Sequence, residues 1–258
     1  MNLIEYKRQG PVTHLVLNRP SVLNAVSDDL IRELKDALFE FDADEEAFIA
    51  ILSGNGRAFC SGGDVRQRQL RPIEEIRRLG SAQGRGAKLE DLMYGSTNWK
   101  PIIAAVHGYV CGAGLYMALT ADMIVAAEGT QFQVTEMSRG VDSTKFWHLL
   151  KERASAGFAT DVCLTGRFWS AEEGLAKGGA DRVVPAGQHV SAAEELAAAI
   201  LQNPPLAVRA LTEARRGRNA EIEMRAWIAR PRGLHLSEDF RESALAFVEK
   251  RKPVFRGR

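Results

Sequence analysis

Two glycine-rich turns and one later glutamate are the residues of this sequence best suited to chemistry. Phe59-Cys-Ser-Gly-Gly-Asp64 and Gly108-Tyr-Val-Cys-Gly-Ala-Gly114 each follow an apolar run. Glycine leaves the backbone unobstructed, and the second turn opens an apolar helix whose first N–H groups lack intrahelical acceptors and lie at the positive end of the helix dipole. Such a place suits an anion, or an oxygen that becomes negative during a reaction. Tight turns in a packed α/β core would read the same way, so either turn alone leaves both readings open. Phe132-Gln-Val-Thr-Glu136 comes after that helix and the strand behind it, so the chain can return Glu136 to the turn. A desolvated carboxylate of near-neutral pKa placed there can take a proton from the carbon beside a carbonyl. A glutamate on a surface loop is the alternative that spacing alone allows.

Other chemistries find less support. Gly112-Ala-Gly114 runs into Leu115-Tyr116-Met117 without the third glycine of a dinucleotide fingerprint, and neither GxxxxGK[ST] nor GxSxG occurs. His14, His107, His148, His189 and His235 are scattered, with no HExxH or paired-cysteine context, so no metal site is expected. Cys60, Cys111 and Cys163 are an odd number without ligand spacing and read as buried thiols in a reducing compartment.

The elements that must position these residues alternate. Val12–Leu17 reads as a strand stopped by Asn18-Arg-Pro20, and Ser27 caps a helix with Leu30, Ile31, Leu34, Leu38 and Phe41 on one face. Phe48–Leu52 is a continuous apolar run, the mark of a strand buried on both faces. Strand, helix, strand begins a parallel βαβ layout. From about Val65 to Ser96 the pattern weakens around Gly80, Gly84 and Gly86, which predicts helical fragments joined by mobile loop. Pro101–Val106 and Met123–Ala127 are further strands, either side of the helix that ends near Thr120. The last hundred residues read as mostly helical. Ser170-Ala-Glu-Glu173 and Ser191-Ala-Ala-Glu194 are capping-box patterns, Gly178-Gly179 and Asn203-Pro-Pro205 are stops, and Asp181–Pro185 is a short strand.

A chain of 258 residues that is 45% hydrophobic can bury a large core. Lys+Arg 34 against Asp+Glu 33 leaves a net charge of +1, which gives no global field for nucleic acid or an anionic membrane. The opening MNLIEYKRQG contains no apolar signal-type stretch, and no run approaches the ~18 residues that span a bilayer. No membrane association and a cytoplasmic location are therefore expected.

Taken together, Asn18-Arg-Pro20, Leu23-Asn-Ala25, Ala58-Phe-Cys-Ser-Gly-Gly-Asp64, Lys100-Pro-Ile-Ile-Ala-Ala-Val-His-Gly-Tyr109, Gly112-Ala-Gly114 and Phe247-Val-Glu-Lys-Arg-Lys-Pro-Val-Phe255 resemble the crotonase, or enoyl-CoA hydratase/isomerase, superfamily. The resemblance runs from about residue 3 to residue 256. It implies an α/β fold built as a spiral of ββα units (residues 1–195) with a helical C-terminal trimerisation region (residues 196–258). It also implies a homotrimer or hexamer and an acyl-CoA thioester as substrate, with coenzyme A part of that substrate and no prosthetic group.

The resemblance places the two oxyanion-hole N–H groups on Gly63 and Ala113, with alanine where glycine is usual. It sets Gly63, Asp64, Val65 and Arg66 along the acyl-CoA, Val22 and Leu23 in the CoA channel, and Phe247 and Lys250 where C-terminal residues close the CoA site. Ser21 stands where a basic residue commonly meets CoA phosphate. Of the two glutamates that hydratases of this kind use, the later is present as Glu136 and the earlier is replaced by Tyr116. Tyr116 either orients water or a proton, or fills the acyl pocket as a buried aromatic. After Glu136 a Pro- and Gly-rich turn is usual, whereas this chain reads Met137-Ser-Arg-Gly-Val-Asp-Ser-Thr-Lys-Phe-Trp147. Asp142, Ser143, Thr144 and Lys145 could add a polar group to the pocket, or Asp142 or Ser143 could cap a helix.

Three functions follow from the resemblance: an enoyl-CoA hydratase, an enoyl-CoA double-bond isomerase using Glu136 alone, and an acyl-CoA-binding member without hydratase chemistry. A few relatives bind RNA, and for that Arg215-Arg-Gly-Arg218 and Lys250-Arg-Lys252 would be the basic patches; solvated helix faces are the other reading of both.

Overall fold

A computed structural model of the chain describes residues 2–79, 99–229 and 233–258. Its order begins β1 (Ile4–Gln9), β2 (Val12–Leu17), α1 (Asp28–Ala43), β3 (Ile49–Gly54), α2 (Val65–Arg68) and α3 (Ile73–Leu79). It resumes with β4 (Ile102–Val106), β5 (Tyr109–Cys111), α4 (Ala113–Thr120), β6 (Met123–Ala127) and β7 (Gln131–Gln133). The remainder is α5 (Thr144–Arg153), α6 (Ala156–Thr165), β8 (Phe168–Ser170), α7 (Ala171–Lys177), β9 (Arg182–Val184), α8 (His189–Ile200), α9 (Pro205–Ala229) and α10 (Glu238–Glu249). Helical fragments were expected from Val65, and α2 and α3 are such pieces; the expected loop with Gly80, Gly84 and Gly86 lies outside the described residues.

Strands β2, β3, β4, β6 and β9 pair in parallel, as the strand–helix–strand reading requires. Alternation sends the two faces of each strand to different cores. Ile49, Ile51, Ile103, Ala105 and Val125 pack under α8, whereas Ala50, Leu52, Ala104, Val106, Ile124 and Ala126 join the larger core with α1 and α4. Burial of both faces is what makes β3 and β4 read as unbroken apolar runs. The expected division after residue 195 falls inside α8.

Two features of the sheets differ from expectation. The first ten residues read only as lacking a signal segment, yet β1 pairs antiparallel with β2, turning at Gly10 with φ of +60°. A second sheet in the order β5-β7-β8 is built from three-residue strands, too short for periodicity to mark. It completes the strand–strand–helix unit: β4 lies in the large sheet, β5 in the small one, and α4 follows.

Ser27 accepts from Leu30 N–H and Ser170 from Glu173 N–H, so both cap as expected. Ser191 does not. Helix α8 starts earlier, at His189, and the Ser191 hydroxyl donates back to the Gln188 carbonyl. The expected stops hold, with Gly178 in the left-handed region after α7 and Pro205 opening α9. All three cysteines are buried, and burial pushes each thiol up to about 12.

The basic run on α9 is solvated only in part: Arg218 is exposed, whereas Arg216 is buried. Arg216 is 1% exposed and donates to the Lys100 carbonyl and to Asp122, each at 2.8 Å. Arg215 meets the other oxygen of Asp122 at 2.7 Å, and Arg218 pairs with Glu152. Asp122 also accepts from Ile102 N–H at the start of β4, so one carboxylate ties α9 to the sheet. Asp122→Ala strands a buried guanidinium, and a loss of about 3–5 kcal/mol in urea denaturation is expected; a change under about 1 kcal/mol would contradict this role.

Candidate functional site

The two glycine turns are joined backbone to backbone. Cys60 N–H donates to the Tyr109 carbonyl and Cys111 N–H to the Cys60 carbonyl, both at 3.0 Å. A β-carbon on Gly62 would lie 3.2 Å from the Cys111 carbonyl oxygen, and one on Gly114 would lie 2.6 Å from the Cys60 carbonyl oxygen. Side chains at these positions would force the turns apart. Gly112 has φ of +47° and ψ of −117°, and a β-carbon there would fall 2.5 Å from Thr135 Oγ1. Backbone conformation and space thus both demand glycine at 112.

The first turn is fixed from its other side by the segment read as the CoA channel. Ser61 N–H donates to the Leu23 carbonyl at 3.0 Å, and Val26 and Gly63 form a parallel bridge. Leu23 has left-handed φ of 52°, just after a 3-10 turn at Pro20–Val22 that leaves the Val22 side chain exposed. Asp64 caps α2 through Gln67 N–H and lies 3.4 Å from the Arg19 guanidinium. Val65 and Arg66 follow on α2, with Arg66 exposed. Val22, Leu23, Gly63, Asp64, Val65 and Arg66 therefore share one neighbourhood.

Among the described residues, neither Gly63 N–H nor Ala113 N–H has a protein acceptor. Ala113 opens α4, so its N–H is one that the helix itself leaves unpaired, and it lies 3.9 Å from where a Gly62 β-carbon would be. Gly63 is exposed. Unpaired N–H groups of this kind can hold an oxygen that gains charge.

Glu136 stands at this turn. A β-carbon on Gly112 would be 3.3 Å from Glu136 Oε1, and Thr135 Oγ1 donates to Oε2 at 3.5 Å. Burial raises its pKa to about 7, opposed by backbone hydrogen bonds and the Lys145 charge. The carboxyl is thus divided between acid and base near neutrality.

Tyr116 is 1% exposed, its ring edge-on to Phe146 at 6.3 Å with Lys145 Nζ 4.4 Å from its centroid. It forms a wall of the core beside the turn. Ser143 is the N-cap residue of α5 but makes no side-chain cap hydrogen bond; Asp142, one residue before it, accepts from both Thr144 N–H and the Thr144 hydroxyl and so ties down the helix start. Phe247 and Lys250 lie at the end of α10, with Lys250 in left-handed conformation after its last residue. The Phe247 ring covers the Arg139 guanidinium at 3.8 Å, so the C-terminal helix reaches the Glu136 turn of its own chain.

Two neighbours of Glu136 were not singled out from sequence. Thr135 is one. Arg139, whose N–H donates to the Glu136 carbonyl, is the other. Burial lowers the Arg139 pKa while the Glu136 charge raises it. A Glu followed by Arg three residues on was the available signal, hidden because the segment has no helical pattern.

The chain was compared with known proteins. The family model for enoyl-CoA hydratase/isomerase matches residues 7–258. A carnitinyl-CoA dehydratase of Proteus mirabilis is 36% identical, with 97% of each chain covered. Among solved structures, a carnitinyl-CoA hydratase from Mycobacterium avium aligns with a TM-score of 0.82 at 30% identity and full coverage of both chains. An enoyl-CoA hydratase subunit from Geobacillus kaustophilus aligns with a TM-score of 0.74 at 30% identity, covering 99% of this chain and 98% of its own.

The pKa of Glu136 makes stability depend on pH. Its folded value of about 7 lies above the ordinary 4.5, so from pH 4.5 upward the unfolded chain releases a proton that the native state keeps, and the penalty is complete only once the pH passes about 7. Glu136→Gln should therefore stabilise the protein above pH 7 by on the order of 3 kcal/mol and give no gain below pH 4.5. Equal gains in thermal denaturation on both sides of that window would contradict the burial.

Proposed function

The chain belongs to the enoyl-CoA hydratase/isomerase family, and from that premise we propose that it adds or removes water across the α,β bond of an acyl-CoA thioester, with Glu136 as the single proton carrier. The observation that supports this reading is a desolvated carboxyl, Glu136, beside Gly112 in the turn that joins the segment of Gly63 and opens the helix with an unpaired Ala113 N–H.

In the direction of water loss, the Glu136 carboxylate removes the α proton. The C–H electron pair moves toward the thioester carbon, and the carbonyl oxygen takes up charge between Gly63 N–H and Ala113 N–H. As the enolate collapses, the β-hydroxyl leaves with its bonding pair and takes the proton from Glu136. Water addition is the reverse. A carboxyl titrating near 7 can perform both transfers without a second carboxylate. Relatives named for dehydration of carnitinyl-CoA support water removal as the reaction type.

Tyr116 supports a second reading. Its buried ring, held against Phe146, stands where the resemblance expects a carboxylate, which leaves Glu136 to remove a proton from one carbon and return it to another. That transfer shifts a double bond and uses no water. The CoA portion is assigned, as the resemblance implies, to the segments that carry Val22, Leu23, Gly63, Asp64, Val65 and Arg66, with Phe247 and Lys250 contributing from the C-terminal helix; assembly as a trimer or hexamer stays part of the same proposal.

One experiment separates the reactions and tests Glu136. With a 2-enoyl-CoA, a mass gain of one water marks hydration; with a 3-enoyl-CoA, conversion at constant mass marks isomerisation. In either case Glu136→Gln should fold, bind the thioester and lose about 10²-fold or more in kcat. The kcat/KM for α-proton removal should rise as pH passes through about 7. Full activity of Glu136→Gln would remove this glutamate from the mechanism.

A further inference from the structure

We infer that Asn24 is the positioning residue of the first glycine turn: its buried amide fixes the register that turns Gly63 N–H outward, free to act as an oxyanion donor. The inference rests on the proposed thioester site, since it concerns how a donor of that site comes to be unpaired.

The segment from Leu23 to Val26 and the turn from Ser61 to Asp64 lie side by side as a short parallel ladder. Val26 N–H donates to the Gly62 carbonyl at 2.8 Å, and Asp64 N–H donates to the Val26 carbonyl at 2.9 Å. In an extended chain the N–H and carbonyl of one residue point to the side opposite those its neighbours use in the ladder. Gly63 is the residue bridged to Val26, so it turns its own N–H away from that segment. Pairing of Val26 with Gly62 instead would spend Gly63 N–H on the Val26 carbonyl. Register alone therefore decides whether this donor is free.

Asn24 fixes the register. It is fully buried, and its side chain bonds on both sides of the ladder: Oδ1 accepts from Arg19 N–H at 2.7 Å, while Nδ2 donates to the Asn55 carbonyl at 2.9 Å and to the Ala58 carbonyl at 2.8 Å. One amide thus joins the chain ahead of Leu23 to the loop that leads from β3 into the glycine turn. The Asn24 carbonyl accepts from Cys60 Sγ at 3.1 Å, and the Leu23 carbonyl accepts from Ser61 N–H at 3.0 Å. Leu23 and Asn24 have left-handed φ of 52° and 55°, a conformation that costs an L-residue energy and is offset here by these bonds. Room for the amide comes from Gly54 at the end of β3, where a β-carbon would fall 2.9 Å from Asn24 Nδ2. Removing the amide leaves the Asn55 and Ala58 carbonyls without this donor and frees the turn to shift along Val26.

Two measurements on the whole protein separate a role in the cradle from a role in the fold: exchange of the α hydrogens of butyryl-CoA in deuterium oxide, and affinity for S-butyl-CoA, the thioether that lacks the carbonyl oxygen. Asn24→Gly keeps the left-handed backbone and removes the amide, whereas Asn24→Asp keeps the shape and the Arg19 contact and removes both donated bonds. Each should slow exchange about 10²-fold, as for a displaced oxyanion donor, while S-butyl-CoA binds within about twofold of its affinity for the unaltered protein and the pH midpoint of exchange stays near 7 with Glu136. If either variant folds and exchanges as fast as the unaltered protein, or if exchange is lost together with S-butyl-CoA binding, the inference is overturned while the thioester reading stands. Failure of both variants to fold overturns it too, because the amide then serves the fold as a whole. Butyryl-CoA bound to the unaltered protein without exchange overturns the thioester reading itself, and the inference with it.

Discussion

The close approach of two chain segments at Cys60 to Gly63 and Val110 to Gly114 is the constraint on which the site depends. Their paired backbones leave room only for hydrogen at 62 and 114, and the torsions at 112 exclude other residues as well. Because Gly112 N–H is turned to the Gln133 carbonyl, the helix that follows begins with its Ala113 N–H unpaired. The same contact ties the small sheet to the turn that follows β3, since Val110 bridges Cys60 while β5 pairs with β7. Strand β7 in turn leads to Thr135 and Glu136. The Gly63 and Ala113 N–H groups and the Glu136 carboxyl, the proposed oxyanion donors and proton carrier, are thus set by one group of backbone contacts.

Desolvation governs the chemistry of this arrangement. Packing that excludes water raises the Glu136 pKa to about 7 and pushes the neighbouring thiols of Cys111 and Cys163 to about 12, leaving those thiols unreactive while the carboxyl exchanges its proton near neutrality. Backbone hydrogen bonds and the Lys145 charge limit the rise, so burial and local polar groups together set the pKa of this glutamate.

Much of this was legible in the residues. Strands buried on both faces announced themselves as apolar runs, Ser27 and Ser170 marked helix starts, and the glycine turns carried the family resemblance as well as the physical reason for it. Other features leave little trace. Strands of three residues, such as β5, β7 and β8, are shorter than any period they could display. Ser191 has the spacing of a cap, yet His189 can continue the helix two residues further back. Arg216 reads as part of a solvated basic run because its partner Asp122 is 94 positions away, and only the fold brings them together. Lys145 was one of four polar candidates, and its position over Tyr116 depends on how α5 packs against α4.

The dependence of proton transfer on the paired turns can be measured directly with a saturated thioester in deuterium oxide. Butyryl-CoA bound to the protein should exchange an α hydrogen for deuterium, seen as a mass gain, because the Gly63 and Ala113 donors stabilise the enolate while Glu136 carries the proton. The exchange should be lost in Glu136→Gln although the thioester still binds. Binding without exchange in the unaltered protein, or exchange that persists in Glu136→Gln, would contradict the shared role of the cradle and its glutamate.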